Sequence, residues 1–200
     1  MLHNLLYVNI LLLILKVLHF RVRKIRANGV CPISKKNVIF VSYYVAESWT
    51  TLLEILIGPA MIEFQTYDVE MPVIDMARIR TWIEEVCRTH DRIPGNLVYQ
   101  FCSDEHILEV NRQFLGHDYY TDIITFPYCE ENRISGDMVI SLDTVRSNAV
   151  VIGESYDREL HRVIIHGVLH LCGIDDKGPG EREVMERHEN EALALLDLMV

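Results

Sequence analysis

His166-Gly167-Val168-Leu169-His170-Leu171-Cys172-Gly173-Ile174-Asp175-Asp176 sets two histidines four residues apart and follows them with a glycine and two carboxylates. Upstream, Glu159 to Leu171 holds no Gly or Pro except Gly167, and Val163, Ile164, Val168 and Leu171 recur at helical spacing. That pattern predicts a buried helix over about 157–171. Four residues is close to one turn, so His166 and His170 project from the same face with imidazoles near enough to share one ion. Gly173 can end the helix in a left-handed conformation and turn the chain back. The return brings Asp175 and Asp176 within reach as oxygen ligands, and spacing by itself does not choose between them.

Two imidazoles, one carboxylate and an open fourth position make the catalytic kind of zinc site, not the closed structural kind. Manganese and nickel also suit such a donor set. An isolated HxxxH arises by chance in many helices, whereas the full HxxxHxxGxxD spacing is far more specific. Gly167 stands where HExxH peptidases carry their glutamate base, which argues against a peptidase of that type. Cys172 reads as a packed free thiol, and His117, His161 and His188 read as surface or packing histidines.

Working outward, the chain divides in two. Residues 61–200 carry 12 Lys/Arg against 27 Asp/Glu, whereas residues 1–60 carry seven against two. A domain that acidic excludes nucleic-acid binding through a broad cationic face, so any RNA contact is local. Five cysteines form no CxxC pair, which fits a reducing compartment and a cytoplasmic protein. Leu5 to Phe20 is apolar except for Asn9, Lys16 and His19, and the basic run Arg21 to Arg26 follows it. A secretory signal places its charge before the apolar run, so none is read here. Three readings of residues 1–60 remain: sequence upstream of a start near Met61, a short membrane anchor, or a partner-binding helix. The first is favoured because organised alternation begins at Met61.

From there the expected order is strand 61–67, helix 74–90, strand 96–102, helix 104–115, strands 122–127 and 136–141, then helices 143–152, 157–171 and 180–198. Ile79, Ile83 and Val86 share one face of the first helix, and Ser103 is placed to cap the second. A few strands among helices that do not strictly alternate with them indicate an α+β fold.

HGVLHLCGIDD resembles the HGxLHLxGYDH signature of the YbeY family of metal-dependent endoribonucleases, with Ile174 for the tyrosine and Asp176 for the last histidine ligand. Asp118-Tyr119-Tyr120-Thr121-Asp122-Ile123-Ile124-Thr125-Phe126-Pro127 is similar to the family's D-x-P-T-D-V-L-S-F-P, and Ser135-Gly136-Asp137-Met138-Val139-Ile140-Ser141 to its L-G-D-I-x-I-S. These segments cover residues 61–198 and leave 1–60 as an extension outside the match. The resemblance implies a zincin-like fold, with a mixed sheet of about four strands packed with about five helices and a metal groove bordered by an edge strand. It selects His166, His170 and Asp176 as ligands of one Zn2+. It further implies cleavage of single-stranded rRNA in maturation of the small-subunit 3' end and in ribosome quality control, with the small subunit or its assembly proteins as partners. Phe114-Leu115 occupies the place of the family's Tyr-Arg, so the guanidinium thought to aid catalysis is missing. Arg112 and Arg133 are the candidate replacements for substrate binding. Tyr119, Tyr120, Phe126 and Tyr128 are available for base stacking, with core packing the default for Phe126. The alternatives are a non-catalytic assembly factor with a structural metal, and a metallopeptidase.

Overall fold

The computed structural model describes residues 61–199. The readings of residues 1–60 lie outside them. Strand β1 (Met61–Thr66) leads through helix α1 (Met76–Thr89) to β2 (Ile93–Cys102). Next come α2 (Asp104–Val110), which runs into a π-helical turn (Asn111–Leu115), then β3 (Ile123–Pro127) and β4 (Arg133–Ser141). Helices α3 (Leu142–Ile152), α4 (Tyr156–Leu171) and α5 (Glu181–Leu198) complete the domain. The fold is α+β, a four-stranded mixed sheet with five α-helices, as the sequence indicates.

The strand order is β1-β2-β4-β3. β1 and β4 both pair in parallel with β2, and β3 pairs antiparallel with β4, which leaves β3 as a free edge. Period-two alternation sorts the side chains. Leu97, Tyr99 and Phe101 of β2 with Ile134, Met138 and Ile140 of β4 face the main core, built with α1, α4 and α5. Val139 and Ile124 turn to the other face, where they pack with Cys102 and Ile107. α1 buries Ile79, Trp82, Ile83, Val86 and Cys87, and the Trp82 indole donates to the Ala192 carbonyl of α5 at 2.7 Å. Ser103 caps α2 by accepting from the His106 amide. Among the described residues no helix is long and apolar enough to cross a membrane.

β2 and β4 begin three residues earlier than the expected 96–102 and 136–141, and Pro94-Gly95 lies within a strand although it looks like a turn signal. The pairing register shifts between Pro94 and Leu97. A Cβ on Gly95 would lie 2.9 Å from the Ile134 carbonyl oxygen, so glycine there permits the close approach of β4.

Candidate metal centre

α4 starts at Ser155, whose hydroxyl accepts from the Arg158 amide, with Asp157 and Glu159 in its positive first turn. Leu160, Val163, Ile164, Ile165, Gly167, Val168, Leu169 and Leu171 are all buried, so the helix is enclosed around most of its circumference. Arg162, His166 and His170 form a single polar stripe along the remaining face, one residue per turn.

Gly167 explains how close this helix lies to the sheet. A Cβ there would come 2.9 Å from Ile123 Cδ1 and 3.0 Å from Met138 Cγ. The position after the first histidine thus faces β3 and β4 and has no room for the glutamate of an HExxH peptidase. The helix ends at Cys172, and Gly173, with φ +96°, turns the chain back. The Gly173 and Ile174 amides donate to the His170 and Leu169 carbonyls, which closes the end of the helix. Cys172 is a buried free thiol set against Cys87 in the core.

His166, His170 and Asp176 converge, each offering one ligand atom within 4.8 Å of the others, and they form the one such group among the described residues. The two Nε2 atoms are 3.0 Å apart. Asp176 Oδ2 lies 3.6 Å from His166 Nε2, and Oδ1 lies 3.9 Å from His170 Nε2. Asp175 is exposed and outside the group.

The hydrogen bonds behind these atoms fix the tautomers. His170 Nδ1–H donates to the Ile174 carbonyl at 2.9 Å, and His166 Nδ1–H donates to Glu189 Oε1 at 2.6 Å. Both Nε2 lone pairs therefore face each other, an arrangement that repels unless a cation lies between them. Burial, followed by the repulsion of a charge on His166, lowers the His170 pKa and favours its neutral, ligating form. Asp176 Oδ1 is buried without a hydrogen-bond partner. Ligand atoms around a tetrahedral zinc lie about 3.3 Å from one another, and the Nε2–Nε2 and His166 Nε2–Oδ2 separations of 3.0 and 3.6 Å bracket that value. The residues present therefore fit a divalent metal.

Four further residues support the group, none of them among the site residues that the sequence indicates. Glu189 of α5 and Glu159 of α4 are almost fully buried, and Arg162 bridges them to Asp122 at the entrance to β3. Glu189 sits within the buried stripe of Met185, Ala192, Leu193 and Leu196, and a carboxylate in that register was the available signal.

The other candidates are placed apart. Arg112, in the π turn, is ion-paired with Asp118 at 2.6 Å. Arg133 begins β4, and neither arginine is hydrogen-bonded or ion-paired to the three converging side chains. Leu115 is about half exposed. Tyr119, Tyr120 and Tyr128 are exposed, whereas Phe126 is partly buried and stacks edge-on with Phe114. His161 packs edge-on against Trp82, His188 pairs with His90, and His117 stacks on Tyr119.

A zincin-like α+β domain with two histidines and a carboxylate gathered beside an edge strand is the class that fold and site define. Residues 62–197 match the family model described as Endoribonuclease YbeY. The protein named Endoribonuclease YbeY from Phocaeicola vulgatus is 64% identical over 138 residues, which are 69% of this chain and 100% of that protein. Its namesake from Porphyromonas gingivalis is 50% identical over 137 residues, 68% of this chain and 91% of that one. The solution structure of TM1509 from Thermotoga maritima is similar, with a TM-score of 0.51 and 26% identity over 68% of this chain and 92% of that chain. The chain belongs to the YbeY family.

Proposed function

We propose that this chain is a zinc-dependent endoribonuclease that cuts single-stranded RNA, with residues 61–198 as the catalytic domain. In the cell it would act in the cytoplasm on ribosomal RNA, in maturation of the small-subunit 3' end and in ribosome quality control. The observation that carries this reading is the convergence of His166, His170 and a partnerless Asp176 oxygen, in a chain of this family.

A divalent ion held there would supply a Lewis acid for a scissile phosphate oxygen. The chain's own residues do the rest. Glu189 and the Ile174 carbonyl keep the two imidazoles oriented with Nε2 outward. The open edge of β3 runs alongside α4, since Asp122 contacts Arg162 and Ile123 and Thr125 face Gly167. Exposed tyrosines bracket that edge, Tyr119 and Tyr120 before it and Tyr128 after it, and offer faces for stacking unpaired bases. With leucine at 115, phosphate neutralisation falls to other cations. Arg112 and Arg133 are the candidates, Arg112 already matched by Asp118 and Arg133 on the Val139 face of β4, opposite α4.

The test is cleavage of a single-stranded RNA by the purified full chain and by His166→Ala. Loss of cleavage in the variant is expected, and equal cleavage would overturn the reading. Leu115 favours a second reading, an assembly factor whose metal is structural. In that case chelation would unfold the domain, whereas a catalytic site would lose cleavage and keep its fold.

A further inference from the structure

Three carboxylates from three elements converge on Arg162. Its Nε and Nη2 grip the two oxygens of Glu159, each at 2.7 Å. Nη2 also reaches Asp122 Oδ2 at 3.1 Å, and Nη1 reaches Glu189 Oε1 at 3.1 Å. That same Glu189 oxygen receives the His166 Nδ1–H. Glu159 and Glu189 are 1% and 5% exposed, so water does not substitute for these contacts. Burial works against the guanidinium charge, and the Glu159 hydrogen bond with the charges of Glu189, Glu159 and Asp122 more than offsets it.

We propose that Arg162 is a positioning residue for the metal centre: it fixes the Glu189 carboxylate that orients His166. A guanidinium is a rigid planar fork, and a bidentate partner fixes its plane. With Nε and Nη2 committed to Glu159, the only terminal nitrogen left points at Glu189. A buried glutamate has three side-chain torsions to settle, and the Nη1 contact selects the arrangement in which Oε1 meets the imidazole. The ring then has one orientation, with Nε2 toward His170 and Asp176. Asp122 extends the network to the edge strand, so β3 and the ligand helix are held in register through one side chain.

The proposal rests on the metal-centre reading of His166, His170 and Asp176, and the experiment separates the two. Cobalt(II) is titrated into the full chain, metal-free, and its visible absorption spectrum and dissociation constant are recorded for wild type, H166A, R162K, E159Q, E189Q and R162K/E189Q. Folding of each variant is checked by circular dichroism and thermal melting. R162K keeps a positive charge but cannot hold Glu159 with two nitrogens and Glu189 with a third. It is expected to bind cobalt about 10- to 100-fold more weakly, the range for supporting residues of metal ligands, with a shifted spectrum. R162K/E189Q is expected to bind no more weakly than E189Q alone, because both changes sever one path. A merely structural role predicts lower melting temperatures with wild-type affinity and spectrum in the folded protein, and that result overturns the proposal. If R162K fails to fold, E159Q decides: loosening the grip on the guanidinium should still weaken cobalt binding, and unchanged binding refutes the proposal. Tight binding by H166A, or none by wild type, would instead refute the metal-centre reading.

Discussion

Gly167→Ala puts two opposing effects at one atom. Alanine is favoured over glycine inside a helix by about 1 kcal/mol. The added Cβ, however, meets Ile123 Cδ1 at 2.9 Å and Met138 Cγ at 3.0 Å. Ile123 can yield, since the atom is the end of a half-buried side chain. Met138 cannot do so easily, because the atom lies mid-chain in a side chain with no exposure. Overpacking of this kind costs about 1–3 kcal/mol. Taking about 2 for the clash, the net effect is destabilisation by about 1 kcal/mol, or a fall in melting temperature of about 3 °C for a chain of this size. The helix should also move outward from β3 by a few tenths of an ångström, carrying both histidines away from Asp176 and weakening metal binding. Thermal and urea unfolding of the metal-free chain, with zinc titration, would measure both effects. A variant more stable than wild type by the full 1 kcal/mol, with unchanged zinc affinity, would refute the claim that Gly167 sets the contact between helix and sheet.

Other consequences follow from charge and burial. If stacking replaces ion pairing in RNA binding, the dependence on salt should be shallow: one or two phosphate contacts give a log–log slope of about −0.7 each. A fluorescence-anisotropy series in salt with a metal-loaded, cleavage-resistant single strand would show this, and a slope of about −4 or steeper would contradict it. His161 has its pKa lowered below 6.5 by burial first, with Arg78 and Arg158 adding to the effect and Asp157 and Asp197 opposing it. The unfolded chain then takes up the proton more readily than the folded one. The resulting stability is complete above about pH 6.5 and is lost as pH falls from there toward the folded value. Unfolding of the metal-free chain at pH 7.5 and 5.5 should show a smaller loss for His161→Phe than for wild type, and equal losses would exclude His161 as a source. Trp82→Ala removes a fully buried ring and its bond to the Ala192 carbonyl, and should cost about 3–5 kcal/mol in urea unfolding. A cost below about 1 kcal/mol would mean that α1 and α5 are not joined there.

How far the sequence could be read depended on the range of the interactions. Helix α4 and its two histidines are legible because periodicity and Gly173 are local signals that agree. The choice of Asp176 over Asp175 needed the family resemblance, since which carboxylate swings back depends on the path of the loop. The first three residues of β2 and of β4 are not legible, because Pro94-Gly95 looks like a turn and Arg133 to Ser135 is too short a run to show a period until a neighbouring strand pairs with it. The end of the expected helix 104–115 became a π-helical turn at Asn111–Leu115, closed by left-handed Gly116. The Arg162 network was hidden for a different reason. Asp122, Glu159, Glu189 and His166 meet only after β3, α4 and α5 have packed, so no sequence window contains them together. In sequence Gly167 marks only the absence of a catalytic base, whereas its surroundings show a steric requirement of the sheet.

The central claim is that His166, His170 and Asp176 hold one metal ion, and elemental analysis of the purified full chain beside Asp176→Ala tests it most directly. One equivalent of zinc per wild-type chain is expected, with the variant folded and well below that stoichiometry after the same dialysis. Equal metal content in the two proteins, or none in either after loading with zinc, would contradict the account.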